Sequence, residues 1–428
     1  MKSPLRGKLR ALSLSMTCLM ACIVTSQVAH AELWERGRLI LSKTITIVPK
    51  AAINAALAAQ GPQMAALVGP AQCDVRVDAI IFQARGPRNE PITSSGAVLT
   101  PIGDAACALN ARAPVIAYDH GTEFRRSFSM ANPASEETSA AIAWYAAKGY
   151  VVVAPDYHGY GASTLPYHAY LHADSEADAT VDALRASRKV LGKYGLKIGK
   201  LFVTGYSHGG HASMATTRAL ETRYRGEFPL TAAAPMAGPY SLEETFVFGA
   251  SNATLAGTAV GAYAMIGLNH AYHSIYRKPA DIFLPAYAPT IESYFPGPVE
   301  GSDLYAKGVL PQALGDLFTP SFLNTLRTDP NSAVRRVLRE NSLIDGWTPT
   351  IPMVLCGGAR DPLVPFFNTP RAQQAFNSRG AHVAVIEADQ AFGLPPFASQ
   401  DDYLNYHART VFPLCAIATR KQLFDPLK

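Results

Sequence analysis

Ser207 is the residue whose type and setting point most directly to chemistry. It stands in the pattern Gly-x-Ser-x-Gly between Gly205 and Gly209, after a short apolar run and before the helix-compatible segment 212–220. A serine at such a strand–turn–helix junction is held in a strained backbone conformation with its hydroxyl exposed. The flanking glycines avoid clashes in the turn, and Gly210 lets the following helix pack closely. The pattern therefore predicts a nucleophilic serine.

A serine hydroxyl is a weak nucleophile, so it needs a general base that is oriented by a carboxylate. One recurrent arrangement has the chain order Ser, acid, His, with the acid placed after a late strand. Asp361 follows the apolar run 351–356 in this way and is the predicted acid. Glu387 and Asp389, which follow the next apolar run, are reserve candidates.

Two histidines lie beyond Asp361 and compete for the role of base. His382 opens a predicted strand, which would place it at the sheet edge opposite the nucleophile. His407 lies between that strand and a predicted terminal helix at about 408–422, where the base is expected. Topology and elimination therefore predict His407, and a long connection, 388–406, must deliver it.

Acyl hydrolysis also requires backbone N–H donors aimed at the developing oxyanion. One donor is expected from His208, the residue after the nucleophile. The other is expected from Thr122 or Gly121, in the loop after the apolar run 114–118. We interpret the neighbouring His120 as a residue that braces this loop.

The histidine spacings do not favour a metal site. His-x-x-x-His at 168–172 and His-x-x-His at 270–273 lack a carboxylate or cysteine at matching positions. No Cys-x-x-Cys or His-Glu-x-x-His spacing occurs in the sequence either. We therefore predict a reaction that uses no metal and no other cofactor.

Apolar runs and helix-compatible segments alternate along much of the chain. Two half-buried strands, 75–83 and 92–99, are expected to open the sheet as an antiparallel pair. The later runs are apolar on both faces, which is typical of parallel strands covered by helices on both sides. The predicted fold is α/β with a mostly parallel central sheet. Ahead of it, 32–70 is expected to be irregular at first and then to form one helix over about 51–68.

The strand–helix alternation stops between 239 and 342. This stretch is too long for a loop inside a compact domain, so we predict an inserted, mainly helical cap. The core then consists of 32–238 and 343–428. Tyrosine, phenylalanine and small apolar residues dominate the cap, which suits either an apolar substrate channel or an ordinary buried interface.

Residues 1–31 have the pattern of an export signal, with a basic start, an apolar stretch and Ala-x-Ala before Glu32. Lipoprotein processing at Cys22 is the alternative. Removal of 1–31 takes away four basic side chains, so the formal net charge falls from +5 to +1. A nearly neutral mature chain gives no reason to expect a nucleic-acid partner. The predicted location is secreted or periplasmic.

Four cysteines remain after this cleavage. An even number in an exported chain suggests disulfides. We predict the pairs Cys73–Cys107 and Cys356–Cys415. Buried free thiols remain an alternative for the second pair.

Four segments occur together in one order. They are Tyr-Asp-His-Gly-Thr at 118–122, Asp-Tyr-His-Gly-Tyr-Gly at 156–161, Gly-Tyr-Ser-His-Gly-Gly at 205–210, and the stretch 341–365 with its Asp-Pro-Leu-Val-Pro end. Over about residues 70–420 this set resembles the secretory lipase family of α/β-hydrolases, which includes yeast lipase A.

The resemblance implies an α/β-hydrolase fold with a cap between the sixth and seventh core strands, and hydrolysis of carboxylic esters. It implies Ser207, Asp361 and His407 as the triad, although the family's usual histidine segment has no close match. The leading hypothesis is an exported lipase or esterase that forms an acyl-enzyme from a small-molecule or lipid ester, with transient contact to a lipid interface. The alternatives are a peptidase or acyltransferase on the same triad, and a binding protein that has lost catalysis.

Overall fold

The fold is described from a computed structural model that covers residues 34–104, 107, 109–252 and 257–428. The predicted export signal 1–31 and the alternative processing residue Cys22 lie outside these residues.

A nine-stranded sheet forms the centre of the molecule. In chain order, β1 to β9 are Leu39–Val48, Asp74–Arg85, Pro91–Ile102, Arg112–Asp119, Val151–Pro155, Lys197–Tyr206, Leu230–Met236, Met353–Gly357 and Val383–Glu387. Their spatial order is β1-β2-β3-β5-β4-β6-β7-β8-β9. The first three strands and the β3–β5 pair are antiparallel, and the rest of the sheet is parallel. The predicted α/β fold with a mostly parallel sheet is confirmed.

Helices cover both faces of the sheet. In chain order, α1 to α15 are Lys50–Ala59, Pro62–Val68, Glu136–Trp144, Ala173–Gly192, His208–Thr222, Leu242–Ser251, Gly257–Tyr272, Gly301–Ala306, Pro320–Thr328, Ala333–Glu340, Asn368–Asn377, Ala388–Phe392, Gln400–Asn405, Phe412–Thr419 and Asp425–Leu427. Helices α4, α5 and α11 share one apolar core with one face of the sheet. Helices α3, α7 and α14 contribute to the core on the other face. The sheet therefore lies between two helical layers.

The segment before β2 differs from the expectation. Where the sequence suggested irregular structure, Leu39–Val48 is an edge strand that pairs with β2. Several of its apolar side chains are exposed, so it lacks the buried–exposed alternation by which strands are recognised. The run of β-branched residues at 44–48 is the signal that would have indicated it.

The single helix expected over about 51–68 is also wrong, because it is divided into α1 and α2. Gly61, with φ +103°, lies between them. Pro62 follows as the first residue of α2, where its missing N–H costs no helical hydrogen bond. A glycine and a proline side by side stop one helix and begin the next.

Between β7 and β8, the described residues of 239–342 form helices α6 to α10 and no strand. Helix α7 is buried on nearly all sides, as expected for a helix that is apolar all round. It approaches the core closely, since a Cβ on Gly267 would lie 2.5 Å from the backbone nitrogen of Tyr170. We propose that 239–342 is the cap and that 32–238 with 343–428 is the core.

Both predicted disulfides, Cys73–Cys107 and Cys356–Cys415, are present. The second joins the end of β8 to α14. It therefore connects the strand before Asp361 to the helix after His407. Throughout the part of the chain that the structure describes, no helix is long and apolar enough to cross a membrane.

Candidate active site

Ser207 lies in the tight turn between β6 and α5. Its backbone has φ 62° and ψ −119°, a conformation that residues other than glycine rarely adopt. Such strain costs about 1–3 kcal/mol and persists only where the surroundings enforce it. The backbone N–H of Ser207 donates to the carbonyl oxygen of Met236 at 3.0 Å, which ties the turn to the end of β7.

The glycines around Ser207 are required by neighbouring backbone. A Cβ on Gly205 would lie 2.4 Å from the Asp119 carbonyl oxygen, and one on Gly209 would lie 2.0 Å from it. A Cβ on Gly210 would lie 2.2 Å from the Met236 carbonyl oxygen. Because backbone atoms of β4 and β7 cannot move aside, the turn can form only with glycine at these positions.

The predicted acid and base are in contact. His407 Nδ1 lies 2.6 Å from Asp361 Oδ2, and both side chains are buried. The other carboxylate oxygen accepts hydrogen bonds from the backbone N–H groups of Leu363 at 2.9 Å and Val364 at 3.0 Å. His407 Nε2 has no hydrogen-bond partner among the described residues. A histidine that donates Nδ1–H to Asp361 keeps an Nε2 lone pair free to accept a proton.

His407 lies within helical structure rather than before it. The terminal helical segment is continuous from Gln400, where α13 begins, and passes through a π-helical turn at Tyr406–Val411, so the predicted start at about 408 is eight residues late. The Tyr206 hydroxyl donates to the carbonyl oxygen of His407 at 2.7 Å, and the two rings pack with centroids 4.8 Å apart. The residue that precedes the nucleophile therefore also contacts the candidate base.

The two reserve carboxylates have other partners. Glu387 accepts the N–H groups of Asp389 at 2.8 Å and Gln390 at 2.9 Å, so it caps α12. Asp389 accepts the Arg360 Nε–H at 2.7 Å and the Ala359 N–H at 2.7 Å. Neither carboxylate bonds to His407 in the described structure, which leaves Asp361 as the geometric partner of the base.

The two candidates for the loop oxyanion donor can be separated. The Gly121 N–H donates to Glu137 Oε1 at 3.1 Å, so Gly121 is not free for this role. The Thr122 N–H makes no hydrogen bond within the described residues, and the Thr122 Oγ1 lies 2.7 Å from the Tyr170 hydroxyl. His208 is the first residue of α5, where a backbone N–H has no acceptor within its helix. Thr122 and His208 therefore remain as the predicted donors.

A buried carboxylate that the sequence did not single out lies behind His208. Glu176 accepts His208 Nε2–H at 2.8 Å and contacts His211 Nδ1 at 2.8 Å. Burial by itself would raise the pKa of Glu176, but the facing histidines outweigh it and hold this pKa below its ordinary value. No sequence motif predicts this contact, because Glu176 lies on α4 and the two histidines lie on α5.

His168 lies near the same group, and ligand atoms of His168, Glu176 and His208 are within 4.8 Å of one another. Both Glu176 oxygens are already engaged by histidine nitrogens. Burial lowers the pKa of His168 well below its ordinary value, so its ring is neutral. We interpret the group as a hydrogen-bonded support for His208, and a reaction without a metal stays a prediction.

His120 contacts two carbonyl oxygens, that of Gly121 at 2.8 Å from Nδ1 and that of Asp156 at 3.3 Å from Nε2. Burial lowers the pKa of His120 to about 3, so the ring is neutral and donates one N–H. These contacts suit a residue that braces the Thr122 loop.

An apolar cavity of about 70 Å³, which is partly open to solvent, lies in the segment 239–342. Side chains of α6, α7 and α9 form most of its wall. Leu363 and Pro365 complete it, and they belong to the loop that also carries Asp361. The cavity therefore adjoins the loop of the candidate acid.

The "Alpha/beta hydrolase family" model matches residues 108–398, a range that includes Ser207 and Asp361 and ends before His407. The chain belongs to the α/β-hydrolase family. Its fold resembles that of the rice cell wall degrading esterase LipA from Xanthomonas oryzae, with 33% identity and a TM-score of 0.83, over 92% of this chain and 100% of that chain.

A putative hydrolase from Legionella pneumophila is 25% identical, with a TM-score of 0.73, over 82% of this chain and 91% of that chain. Candida antarctica lipase A shares the fold, at 17% identity and a TM-score of 0.60, over 82% and 76% of the two chains. No protein of curated function gives a significant match. Membership of the α/β-hydrolase family is confirmed, and the resemblance to lipase A is confirmed at the level of the fold.

Proposed function

We propose that this protein hydrolyses carboxylic esters through an acyl-enzyme formed on Ser207. The observation that carries the proposal is the 2.6 Å contact between Asp361 and His407 Nδ1, which leaves Nε2 of the base unpartnered. The strained turn at Ser207 supports it, because such a turn presents a serine hydroxyl to substrate. The family match and the likeness to an esterase support it further.

In the proposed mechanism, Ser207 Oγ attacks the ester carbonyl carbon while its proton passes to His407 Nε2. The N–H groups of Thr122 and His208 bind the resulting oxyanion. The intermediate collapses when the alcohol leaves with the proton from His407. Water then attacks the acyl group with His407 again as the base, and the acid is released. Asp361 stabilises the imidazolium that forms in each half of the cycle.

We further propose that the apolar cavity receives the acyl chain. Its wall is apolar, and its contact with Leu363 and Pro365 joins it to the loop of the candidate acid. Val260→Trp would fill part of this space. We expect this variant to lose turnover of octanoate esters while it retains turnover of acetate esters. Equal losses for both esters would show that the chain binds elsewhere.

Esters of plant cell walls are a narrower candidate substrate. LipA from Xanthomonas oryzae is described as degrading rice cell walls, and this chain aligns with all of it. Release of acids from isolated cell-wall material, compared with hydrolysis of an emulsified triglyceride, would separate this substrate from lipids. Activity on the emulsion alone would rule out the cell-wall candidate.

We also propose that the protein is exported. The two disulfides support this, because disulfides persist in oxidising compartments. N-terminal sequencing of the mature protein should begin at Glu32. A lipidated N-terminus at Cys22 would instead establish lipoprotein processing.

The test of the proposed reaction is hydrolysis of p-nitrophenyl butyrate by the wild type and by Ser207→Ala. We expect kcat to fall by at least ~10³-fold, since the covalent step is lost. Ser378→Ala, which removes an exposed serine hydroxyl from the end of α11, is the matched control and should retain full activity. Faster turnover of the matching anilide than of the ester would favour a peptidase. Transfer of the acyl group to an added alcohol in preference to water would favour an acyltransferase.

A further inference from the structure

The segment that leads from β9 to the candidate base is interrupted by an irregular stretch. Between β9 and His407 the chain forms only the short helices α12 and α13, and residues 393–399 between them are neither helix nor strand. Geometry at the reacting atoms must nevertheless be accurate, since a misplacement of about 1 Å can cost ~10²-fold in rate. Contacts from outside the segment must therefore fix its position.

Arg360, the residue directly before Asp361, makes three such contacts by hydrogen bonds. Its Nε–H donates to Asp389 Oδ1 at 2.7 Å. Its two terminal nitrogens donate to the carbonyl oxygens of Pro395 at 2.9 Å and Leu394 at 3.3 Å. One guanidinium group thus holds both the start and the middle of the connection that leads to His407.

The same guanidinium lies over two aromatic rings of this connection. Its central carbon is 4.8 Å from the Phe397 ring centroid and 5.5 Å from that of Tyr406. The two rings pack edge to face, with centroids 5.2 Å apart. Cation–π contacts of this kind add to the hydrogen bonds and favour arginine over lysine. Tyr406 is the residue directly before His407.

Asp389 completes the connection between the two loops. Its Oδ2 accepts the backbone N–H of Ala359 at 2.7 Å and also accepts the Tyr406 hydroxyl. Burial opposes ionisation of Asp389, but hydrogen bonds from Tyr406 and Arg360 outweigh it and hold the pKa below its ordinary value. The carboxylate is therefore charged at neutral pH. A Cβ on Gly358 would lie 2.4 Å from the Tyr406 hydroxyl oxygen, so glycine there makes room for the contact.

We propose that Arg360 and Asp389 are positioning residues that set the placement of His407 against Asp361. The inference rests on the proposed function, in which these two side chains are the base and the acid. Arg360 and Asp389 do not touch either of them. They act through chain neighbours, because Arg360 is next to Asp361 and Tyr406 is next to His407.

Arg379 provides a matched control with similar contacts, in which a threonine hydroxyl takes the place of the carboxylate. Its Nη2 donates to the carbonyl oxygens of Ile344 at 2.6 Å and Trp347 at 3.0 Å, its Nε donates to Thr348, and it lies over the Phe376 ring at 5.4 Å. It precedes β9, whereas Asp361 follows β8. In a parallel pair these positions are at opposite edges of the sheet. Loss of Arg379 therefore removes similar stabilising contacts far from the site.

The experiment measures kcat, KM and thermal stability for Arg360→Ala, Arg360→Lys, Asp389→Asn and Arg379→Ala. We expect Arg360→Ala to lower kcat by ~10- to 100-fold with KM within ~2-fold of wild type. Asp389→Asn should behave similarly. Arg360→Lys should recover little, because the three donors of an ammonium group sit on one nitrogen, whereas Arg360 reaches Asp389 and the two carbonyl oxygens from three separate nitrogens. Arg379→Ala should lower the Tm comparably and leave kcat unchanged.

A proton NMR spectrum reports on the hydrogen bond between His407 and Asp361 without any substrate. The wild type should show a far-downfield resonance from His407 Nδ1–H bonded to Asp361, and Arg360→Ala should lose or broaden it while Arg379→Ala keeps it. If Arg360→Ala has the same kcat and the same resonance as Arg379→Ala, the inference is wrong. If Arg360→Ala does not fold, the same comparison applies to Arg360→Lys. Unchanged turnover in Ser207→Ala would instead overturn the proposed function, which separates the two failures.

Discussion

The two halves of the candidate site are held in different ways. Around Ser207, backbone constrains backbone, since the turn fits only because Gly205, Gly209 and Gly210 carry no Cβ atoms to meet β4 and β7. Around His407, side chains hold a long connection in place, and Arg360 and Asp389 supply several of the hydrogen bonds. A change in the first region should therefore affect folding. A change in the second should affect catalysis while the fold remains.

The largest effect on kcat is expected from Asp361→Asn, in the region around His407 that is held by side chains. The asparagine oxygen can still accept the N–H groups of Leu363 and Val364, so the loop should keep its shape. The amide nitrogen then faces His407 Nδ1 and favours the tautomer with its proton on Nε2, which cannot accept the serine proton. We expect kcat to fall by ~10⁴-fold, as for the equivalent change in serine proteases.

The measurement is kcat for an ester together with the Tm. Glu340→Gln, at an exposed carboxylate at the end of α10, is the control and should leave both the Tm and kcat unchanged. A comparable kcat loss in both variants would argue against Asp361 as the specific partner of His407.

A substitution in the turn around Ser207 should have the opposite result, because it should lower the stability of the fold. In Gly209→Ala the new Cβ would lie 2.0 Å from the Asp119 carbonyl oxygen. Since neither backbone can yield without disrupting the sheet, we expect a loss of about 4 kcal/mol or more in the free energy of unfolding, or no folded protein. Urea denaturation measures it. Gly226→Ala has no atom within 4 Å of the new Cβ and should be neutral. Normal stability in Gly209→Ala would refute the steric account of the turn.

A pH-dependent effect should come from Asp119, at the end of β4 beneath the turn. Burial raises its pKa from the ordinary 3.8 to about 8, against hydrogen bonds from Thr180 and Thr216 that favour the charged form. The folded state therefore holds this proton when the unfolded state has released it. Stability from this group is complete below about pH 4 and declines as pH rises to about 8.

Asp119→Asn should remove that decline, which amounts to at most about 1.4 kcal/mol per pH unit. Urea denaturation at pH 5 and pH 8 measures the slope. Asp316→Asn, at an exposed carboxylate in the segment 239–342, should keep the wild-type slope. An unchanged slope in Asp119→Asn would show that Asp119 is ionised in the folded protein.

The same contrast explains what the sequence could predict. The turn at Ser207 is a local structure, because the glycines that it requires all lie within the six consecutive residues 205–210. The parallel strands could be predicted equally well, because strands that are buried on both faces have continuous apolar sequences. β1 was missed since its exposed apolar side chains follow no such rule.

The side chains that hold the candidate base in position could not be predicted from the sequence. Arg360, Asp389 and Tyr406 are distant in sequence and meet only when β8 and β9 are adjacent. Glu176 behind His208 was missed for the same reason. Sequence order and sheet topology pointed to His407, but the side chains that hold it follow no spacing rule.

The most direct test of the central claim is a mass measurement after reaction with a fluorophosphonate, which labels an activated serine. The account predicts one adduct per chain, on the peptide that contains Ser207, and sharply slower labelling in His407→Ala. Ester turnover that persists without any adduct on Ser207, or an adduct on a different serine, would contradict it.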